Sequence, residues 1–434
     1  MSEAGVTDRA AEEVVEICRD LIRIESVNPT GSERAIAEWV AARLTDAGLA
    51  PEIYESDPGR ASVVARWAGA DSSRDALLIH GHLDVVPANA DDWQVDPFAG
   101  EVRDGCVWGR GAVDMKDMDA MVLALLLDWS RQGKRPPRDV VLAFVADEEA
   151  GGVKGAHHLV DNHAELFEGC TEAVSEVGGF SMTVGGRRLY AIETAEKGIA
   201  WLRLVAKGMA GHGSMLNDDN AVTTLAEAVA RVGRHTFPIE LGPTVEQFLR
   251  EICDALGIAF DPSDVEGVLA KLGPLARMIG ATVRHTANPT MLDAGYKQNV
   301  IPGEAHAYLD CRFLPGGEER FREELARVVG PDVAIEVVQT QIAYETTFDG
   351  DLVAAMTAAI VAEDPDARVI PYALSGGTDA KSFSELGMRC FGFSPLRLPP
   401  DLNFVGMFHG VDERVPIDGL QFGVRTLSRF LARA

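Results

Sequence analysis

One histidine and five carboxylates in this chain stand at the ends of apolar runs or in the loops after them, and with a second, distant histidine they have the composition of a cation site. The run Leu77-Leu78-Ile79 leads into His80-Gly81-His82-Leu83-Asp84. Positions i and i+2 of an extended backbone share a side, so His82 and Asp84 can act jointly, imidazole as ligand and carboxylate as its orienting partner. Asp114 follows a loop bounded by glycines, and Glu176 closes the run from Thr171 to Val174. A further run, Val140 to Val145, ends in Ala146-Asp147-Glu148-Glu149-Ala150-Gly151-Gly152. Consecutive carboxylates repel one another when ionised, and a bound cation reverses that cost. A solvated acidic loop is the plain alternative, but a buried strand before and a Gly-Gly turn after argue for a site. Far downstream, His409 stands with Asp412 and Glu413. Histidines mixed with carboxylates suit zinc, whereas an all-oxygen set would suit magnesium or calcium.

The elements that must position these residues alternate helix and strand. Apolar spacing predicts a helix from Thr7 to about Ile24. Asn28-Pro29-Thr30-Gly31 reads as a turn, and Ser32 as the cap of a second helix to about Ala47. Strands are expected over 62–67, 76–80, 138–145 and 171–174, with a glycine-rich loop over 104–111 and a helix from about Ala120 to Arg131. This order is α/β with a mostly parallel sheet, in which chemistry gathers at strand ends. From Ile199 the pattern changes to strand 199–207, helix 219–232, strands 282–292 and 305–313, helix 318–329 and strand 333–341. That is a βαββαβ (ferredoxin-like) unit with an extra helical stretch around 245–278. The expected domains are 1–197, an insert at 198–343, and a return to the first domain over 344–434.

Composition bounds the function. The chain has 434 residues, 47% hydrophobic and 25% charged, as ordinary globular proteins do. Its formal net charge of −27 argues against nucleic acid and against anionic membrane surfaces. Met1 to Ala11 has neither a basic start nor an apolar core, so no secretory signal is expected. The apolar run Met121 to Leu127 is too short to span a bilayer. Six scattered cysteines without CxxC spacing point to a reducing, cytoplasmic setting.

The order of short motifs resembles the di-zinc metallohydrolases that include aminoacylase, succinyl-diaminopimelate desuccinylase, acetylornithine deacetylase and bacterial glutamate carboxypeptidase. The matching segments are GHLDVVP (81–87), WGRGAVDMK (108–116), DEEAGG (147–152), SEVGG (175–179), EKG (196–198), GHGS (211–214), NVIP (299–302), DCR (310–312), SGGTDA (375–380) and HGVDER (409–414). The resemblance implies a zinc-exopeptidase-like catalytic domain whose insert is a lid and dimerisation domain. It implies two Zn2+ per chain, replaceable by Co2+, with His82 and Glu176 on one, His409 and Glu149 on the other, and Asp114 bridging. Asp114–Met115 would be a cis peptide, Glu148 the general base and Asp84 the partner that orients His82. A water between two cations loses its proton near neutral pH, and the resulting bridging hydroxide would attack while Glu148 relays the proton. The insert would bring His212, Asn299 and Arg312 to the substrate. His212 would stabilise the oxyanion in the partner subunit of a homodimer. Arg312 can clamp a carboxylate, a surface ion pair being its plain alternative. Gly376, Gly377 and Thr378 offer donors for a substrate carboxylate or carbonyl.

The implied reaction is hydrolysis of an amide next to a free carboxylate, in an N-acyl amino acid, a dipeptide or a peptide C-terminus. A dedicated deacylase of the succinyl-diaminopimelate or acetylornithine type is the alternative within that class. A silent binding protein of the same fold is the alternative outside it, which an intact Glu148 and ligand set disfavour. Asp117 departs from the family's usual glycine. His80 is a decoy for His82, and His157, His158 and His163 read as a solvated face without carboxylate partners. Trp93, Phe98 and Trp108 read as packing residues.

Overall fold

The computed structural model describes residues 5–273 and 275–434. They form two compact units. The first comprises the chain up to Thr194 with Thr346–Tyr372 and Thr378–Ala434, and the second comprises Ala195–Glu345 with Ala373–Gly377.

The first unit begins with α1 (Asp8–Arg23), capped by Thr7, whose hydroxyl accepts from the Ala10 amide. The helix α2 (Arg34–Asp46) starts later than a Ser32 cap would allow, because Glu33 holds the N-cap position and has no side-chain cap bond. Ser32 instead donates to the Gly59 carbonyl and accepts from the Arg34 amide. The strands β1 (Glu52–Asp57), β2 (Arg60–Trp67) and β3 (Ala76–His82) follow. The helix α3 (Lys116–Arg131) begins four residues earlier than apolar spacing predicts. Lys116, Asp117 and Asp119 are polar letters but fully buried, and the Lys116 ammonium donates to the carbonyls of Leu21 and Ile24. Beyond it come β4 (Val140–Val145), β5 (Cys170–Ser175) and β6 (Arg187–Glu196).

The sheet runs β1-β2-β4-β3-β5, then the short strand Arg389–Gly392, then β6. Its centre is parallel, with β3 between β4 and β5, and its flanks are antiparallel. Every residue of β3 and β4 is buried, as expected where helices cover both faces. Pairing with β4 continues to His82 opposite Val145, so β3 ends two residues beyond the expected strand. A Cβ on Gly81 would overlap the Asp119 carboxylate and the Met115 methyl, which explains glycine between the two histidines. The glycine-rich segment 104–111 is not a plain loop. Asp104 and Gly105 both have positive φ and turn a hairpin between Glu101–Arg103 and Cys106–Trp108.

In the second unit, β7 (Gly198–Lys207), β8 (Thr286–Ala294), β9 (Glu304–Phe313) and β10 (Val333–Gln341) form an antiparallel sheet of order β8-β9-β7-β10. Burial alternates along β9, and its inward residues Ala307, Leu309 and Cys311 join Leu202 and Leu204 of β7. This face is covered by the helices α4 (Ala221–Arg234) and α5 (Glu318–Val329) through Leu225, Val232, Phe321 and Leu325. The extra stretch is three helices, Pro243–Leu256, Val265–Leu269 and Leu275–Thr282. The last explains why β8 starts later than the expected strand at 282. No helix among the described residues is long and apolar enough to cross a membrane. All six cysteines are free thiols.

Candidate metal centre

His82 is the last residue of β3, and its ring is fixed at both nitrogens. Nδ1 donates to the main-chain carbonyl of Asp84 at 2.9 Å. Nε2 is thereby aimed at Asp114 Oδ1, 3.1 Å away, and Glu176 Oε2, 3.7 Å away. The other oxygen of Asp114 lies 3.2 Å from His409 Nε2, which is also 3.0 Å from Glu149 Oε2. Two groups of three ligand atoms result, His82/Asp114/Glu176 and Asp114/Glu149/His409, sharing Asp114. This donor set fits a pair of divalent cations. Ligands at about 2.0–2.1 Å around a tetrahedral ion stand roughly 3.3 Å apart, close to the separations seen here. Three protein ligands per ion leave a fourth position for water or substrate, the arrangement of catalytic sites.

Charge is concentrated enough to displace most of the ionisations. Burial pushes Glu176 up to about 7 against the pull of the His82 imidazole. Burial, helped by Glu176 and Glu149 and opposed by His82, holds the Glu148 carboxyl well above its usual range. Hydrogen bonds to Asp114 and Glu149 push His409 up to about 10. Asp114 moves the other way: burial would raise it, but hydrogen bonds from His409 and His82 hold it below the carboxylate range. A buried centre with this many like charges needs protons or cations to neutralise it.

Asp84 contacts the His82 ring as its partner, but through a different group from the one expected. Its main chain, not its carboxylate, makes the close bond to His82, the carboxylate oxygen lying at 3.6 Å. The carboxylate accepts from the amides of Glu148 and Glu149, each at 3.1 Å. Asp84 thus holds the next loop in place. Glu148 belongs to neither triad, so its carboxylate stands beside the ligands without being one of them.

Glu413 carries a burden that its motif alone does not reveal. Fully buried, it accepts from the amides of Gly111, Val113 and Asp114 and from Arg110 Nη1. Arg110 also donates to the Gly410 carbonyl, so one ion pair ties the loop of Asp114 to that of His409. A carboxylate four residues after His409 and an arginine four before Asp114 were the only signals. The Asp114–Met115 peptide is cis.

The other expected residues are placed as follows. Thr378, in the first unit, is buried, and its hydroxyl accepts from the Ala380 amide. In the second unit, His212 lies in a short exposed strand paired with Val300–Ile301, its Nδ1 2.7 Å from the Ser214 hydroxyl. The Asn299 carbonyl accepts from the Gly213 amide. Arg312 makes a two-point ion pair with Asp310, at 2.6 and 3.0 Å. Gly376 and Gly377 close that unit's second segment. His80 lies outside both triads, packed on Phe383, and burial pushes it down to about 3. Trp93 and Trp108 pack with Val95, and Phe98 is half-buried. His163 does have a carboxylate nearby, Glu165 at 3.6 Å, and it packs on Tyr54, so the three histidines are half-buried rather than solvated. Asp117 is buried in the first turn of α3, and burial pushes its carboxyl well up.

A model of peptidase family M20/M25/M40 matches residues 78–433. The chain belongs to this family. Among curated M20 relatives, it is 27% identical to the N-fatty-acyl-amino acid synthase/hydrolase PM20D1 of Xenopus tropicalis, over 98% of this chain and 87% of that protein. It is 27% identical to aminoacylase-1 of Sus scrofa, over 92% and 90% of the two chains. Among solved structures it is similar to the M20 metallo-carboxypeptidase Sso-CP2 of Sulfolobus solfataricus, with TM-score 0.76 and 19% identity over 97% and 99% of the two chains. It is also similar to the YXEP protein of Bacillus subtilis, described as a dinuclear metal-binding peptidase of the M20 family. That match has TM-score 0.62 and 13% identity over 98% of each chain. At these identities the structural matches establish the fold, a mixed α/β arrangement around a mostly parallel sheet. As an M20 peptidase, the protein is a hydrolase of amide or peptide bonds.

Proposed function

We propose that the protein hydrolyses the amide of an N-acyl amino acid, a dipeptide or a peptide C-terminus, with two zinc ions at the paired triads. The observation that carries the reading is Asp114, whose two oxygens each face one histidine while Glu148 remains outside both ligand groups. The zinc pair would supply Lewis acidity and lower the pKa of the attacking water. His82, Glu176 and Asp114 would hold one ion, and Asp114, Glu149 and His409 the other. Glu148 would take the proton of the attacking water and return it to the leaving amine. Burial and neighbouring carboxylates hold Glu148 well above its usual range in the empty centre, and bound cations would bring it back down toward a base. Arg312, Asn299 and the segment Gly376-Gly377-Thr378 would receive the substrate carboxylate. The unit of residues 195–345 would act as lid and dimerisation domain, with His212 stabilising the oxyanion across a homodimer. Relatives named for acyl-amino-acid chemistry and one named as a carboxypeptidase-like protein support both substrate classes.

The test is a metal count followed by a substrate panel. Metal-replete protein should hold about two zinc ions per chain, lose activity to a chelator and regain it with zinc or cobalt. A single tight ion, or magnesium alone, would overturn the metal assignment. Screening N-acyl amino acids, dipeptides and carboxylate-blocked versions should show a much higher kcat/KM where the carboxylate is free.

A further inference from the structure

Asn28, in the turn after α1, reads in the sequence as an ordinary turn residue. Its surroundings are not those of a turn. The side chain is buried, and its single amide nitrogen donates to two carboxylates, Asp84 Oδ2 at 2.8 Å and Asp147 Oδ1 at 3.1 Å. Both acceptors are themselves buried. One carboxylate follows His82, and the other immediately precedes Glu148.

These contacts close a ring. The Asp84 carboxylate accepts from the Glu148 and Glu149 amides, and Asp147 Oδ2 accepts from the Lys154 amide at 2.9 Å. Asn28 joins the two acids at the remaining positions. Without its donors, two buried carboxylates would face each other across the loop, a repulsion relieved by protonating one of them or turning it toward water, and either change disturbs the bonds to the Glu148–Glu149 loop. Asp147 cannot shift freely, since its backbone already sits in the left-handed region at φ 69°. Asn28 is fixed as well. Its amide donates to the Val85 carbonyl, Val85 donates to Ser26, and the Ser26 hydroxyl donates to Leu83. Arg60 holds the Pro29 carbonyl from the other side.

We propose that Asn28 is a positioning residue that sets the separation between the loop of His82 and Asp84 and the loop of Glu148 and Glu149. Its consequence for catalysis rests on the metallohydrolase reading above, whereas its effect on the loop does not. Asparagine is required because the position needs two donors and no charge. Aspartate has the same shape, removes both donors and adds a third acid.

Asn28→Asp and Asn28→Ala test this, with Ser130→Ala as a control. Ser130 donates to the Ala47 carbonyl at 2.8 Å, well away from the ring in sequence and contacts. The first readout is amide exchange in the metal-free full chain. Exchange at Glu148 and Glu149 should rise at least about tenfold in both Asn28 variants, while Leu142 and Ala143 in β4 keep wild-type rates. The second readout is kinetics with zinc restored on an N-acyl amino acid. kcat should fall roughly 10- to 100-fold with KM within about twofold, because the groups that react are displaced rather than the substrate contacts. Ser130→Ala should change neither. Unchanged exchange at Glu148 and Glu149 overturns the proposal whatever the activity. Faster exchange with unchanged kcat reduces Asn28 to a structural residue and overturns its positioning role. If wild-type protein hydrolyses no amide, the functional reading fails on its own, and exchange still decides whether Asn28 sets the loop.

Discussion

The candidate residues of the two units are held in opposite ways. In the first, each ligand side chain or its loop is gripped by groups distant in sequence: Asp114 by Glu413, the Glu148–Glu149 loop by Asp84, Asp84 by Asn28. In the second, His212 and Arg312 contact residues two positions away, Ser214 and Asp310, and His212 is exposed. Buried, long-range bonds hold a geometry before any ligand arrives. Local, exposed pairs fix little and exchange readily for a better partner. Under the proposed reading, the first set would form a rigid cation site, and the second would be groups that engage when substrate binds.

Glu148→Gln should lower kcat by about 10²–10⁴-fold, by loss of the proton relay, while metal content stays near two per chain. Glu149→Gln should instead weaken one ion. Elemental analysis beside steady-state kinetics separates the two. Loss of zinc from Glu148→Gln with full zinc in Glu149→Gln would exchange their roles.

His212→Ala should cost about 10²–10³-fold in kcat, the usual worth of one oxyanion donor, and leave the metal untouched. Because the dimer hypothesis sends His212 into the other subunit's site, a mixing experiment sharpens the test. Glu148→Gln and His212→Ala chains, unfolded and refolded together, should give about half mixed dimers, each with one intact site. Activity should return to about a quarter of wild type. Mixed dimers that form yet stay inactive would place His212 in its own chain's site or in none.

These two predictions also mark what was legible in the sequence. His82, Asp114, Glu149 and Glu176 could be picked out because each follows an apolar run or a glycine-bounded loop, whereas His409 stood out only as a histidine near carboxylates in the motif 409–414. Asn28 and Glu413 could not. An asparagine before proline looks like any turn, and the partners of Glu413 lie about 300 residues away. The first turn of α3 was hidden for a related reason. Apolar spacing cannot reveal a buried Lys116 whose charge is satisfied by the end of another helix. Asp84 was legible as a partner of His82, but not the division of labour between its carbonyl and its carboxylate.

Cation uptake should depend on pH with a definite sign. With the centre empty, His409 keeps its proton up to about pH 10 and Glu176 up to about 7. Between pH 6 and 8 an incoming cation must displace at least the His409 proton, so affinity rises with pH. The slope should be at least about one log unit per pH unit at the Glu149/His409 site. Competition with a chelator of known affinity, run with cobalt at several pH values, reads the slope directly. An affinity flat across that range would mean the site is not protonated when empty.

The smallest effect concerns Arg312. Its guanidinium is occupied on two points by Asp310, and both side chains are partly exposed. A substrate carboxylate must compete with that pair, and a half-buried two-point pair stands at the strong end of the roughly 0–1 kcal/mol that exposed pairs contribute. Asp310→Asn keeps the shape and removes the competing charge. If Arg312 clamps the substrate, KM should fall by up to about fivefold with kcat unchanged, the signature of better ground-state binding. Arg312→Lys should raise KM, since a single ammonium cannot reproduce the two-point contact. The surface-pair reading makes the opposite forecast, with KM unmoved by either change. Measuring both variants on one N-acyl amino acid and on its carboxylate-blocked ester decides between them, because the blocked substrate offers Arg312 nothing to hold. A KM that shifts equally for both substrates would show that Asp310 and Arg312 act on the fold of β9 and not on the ligand.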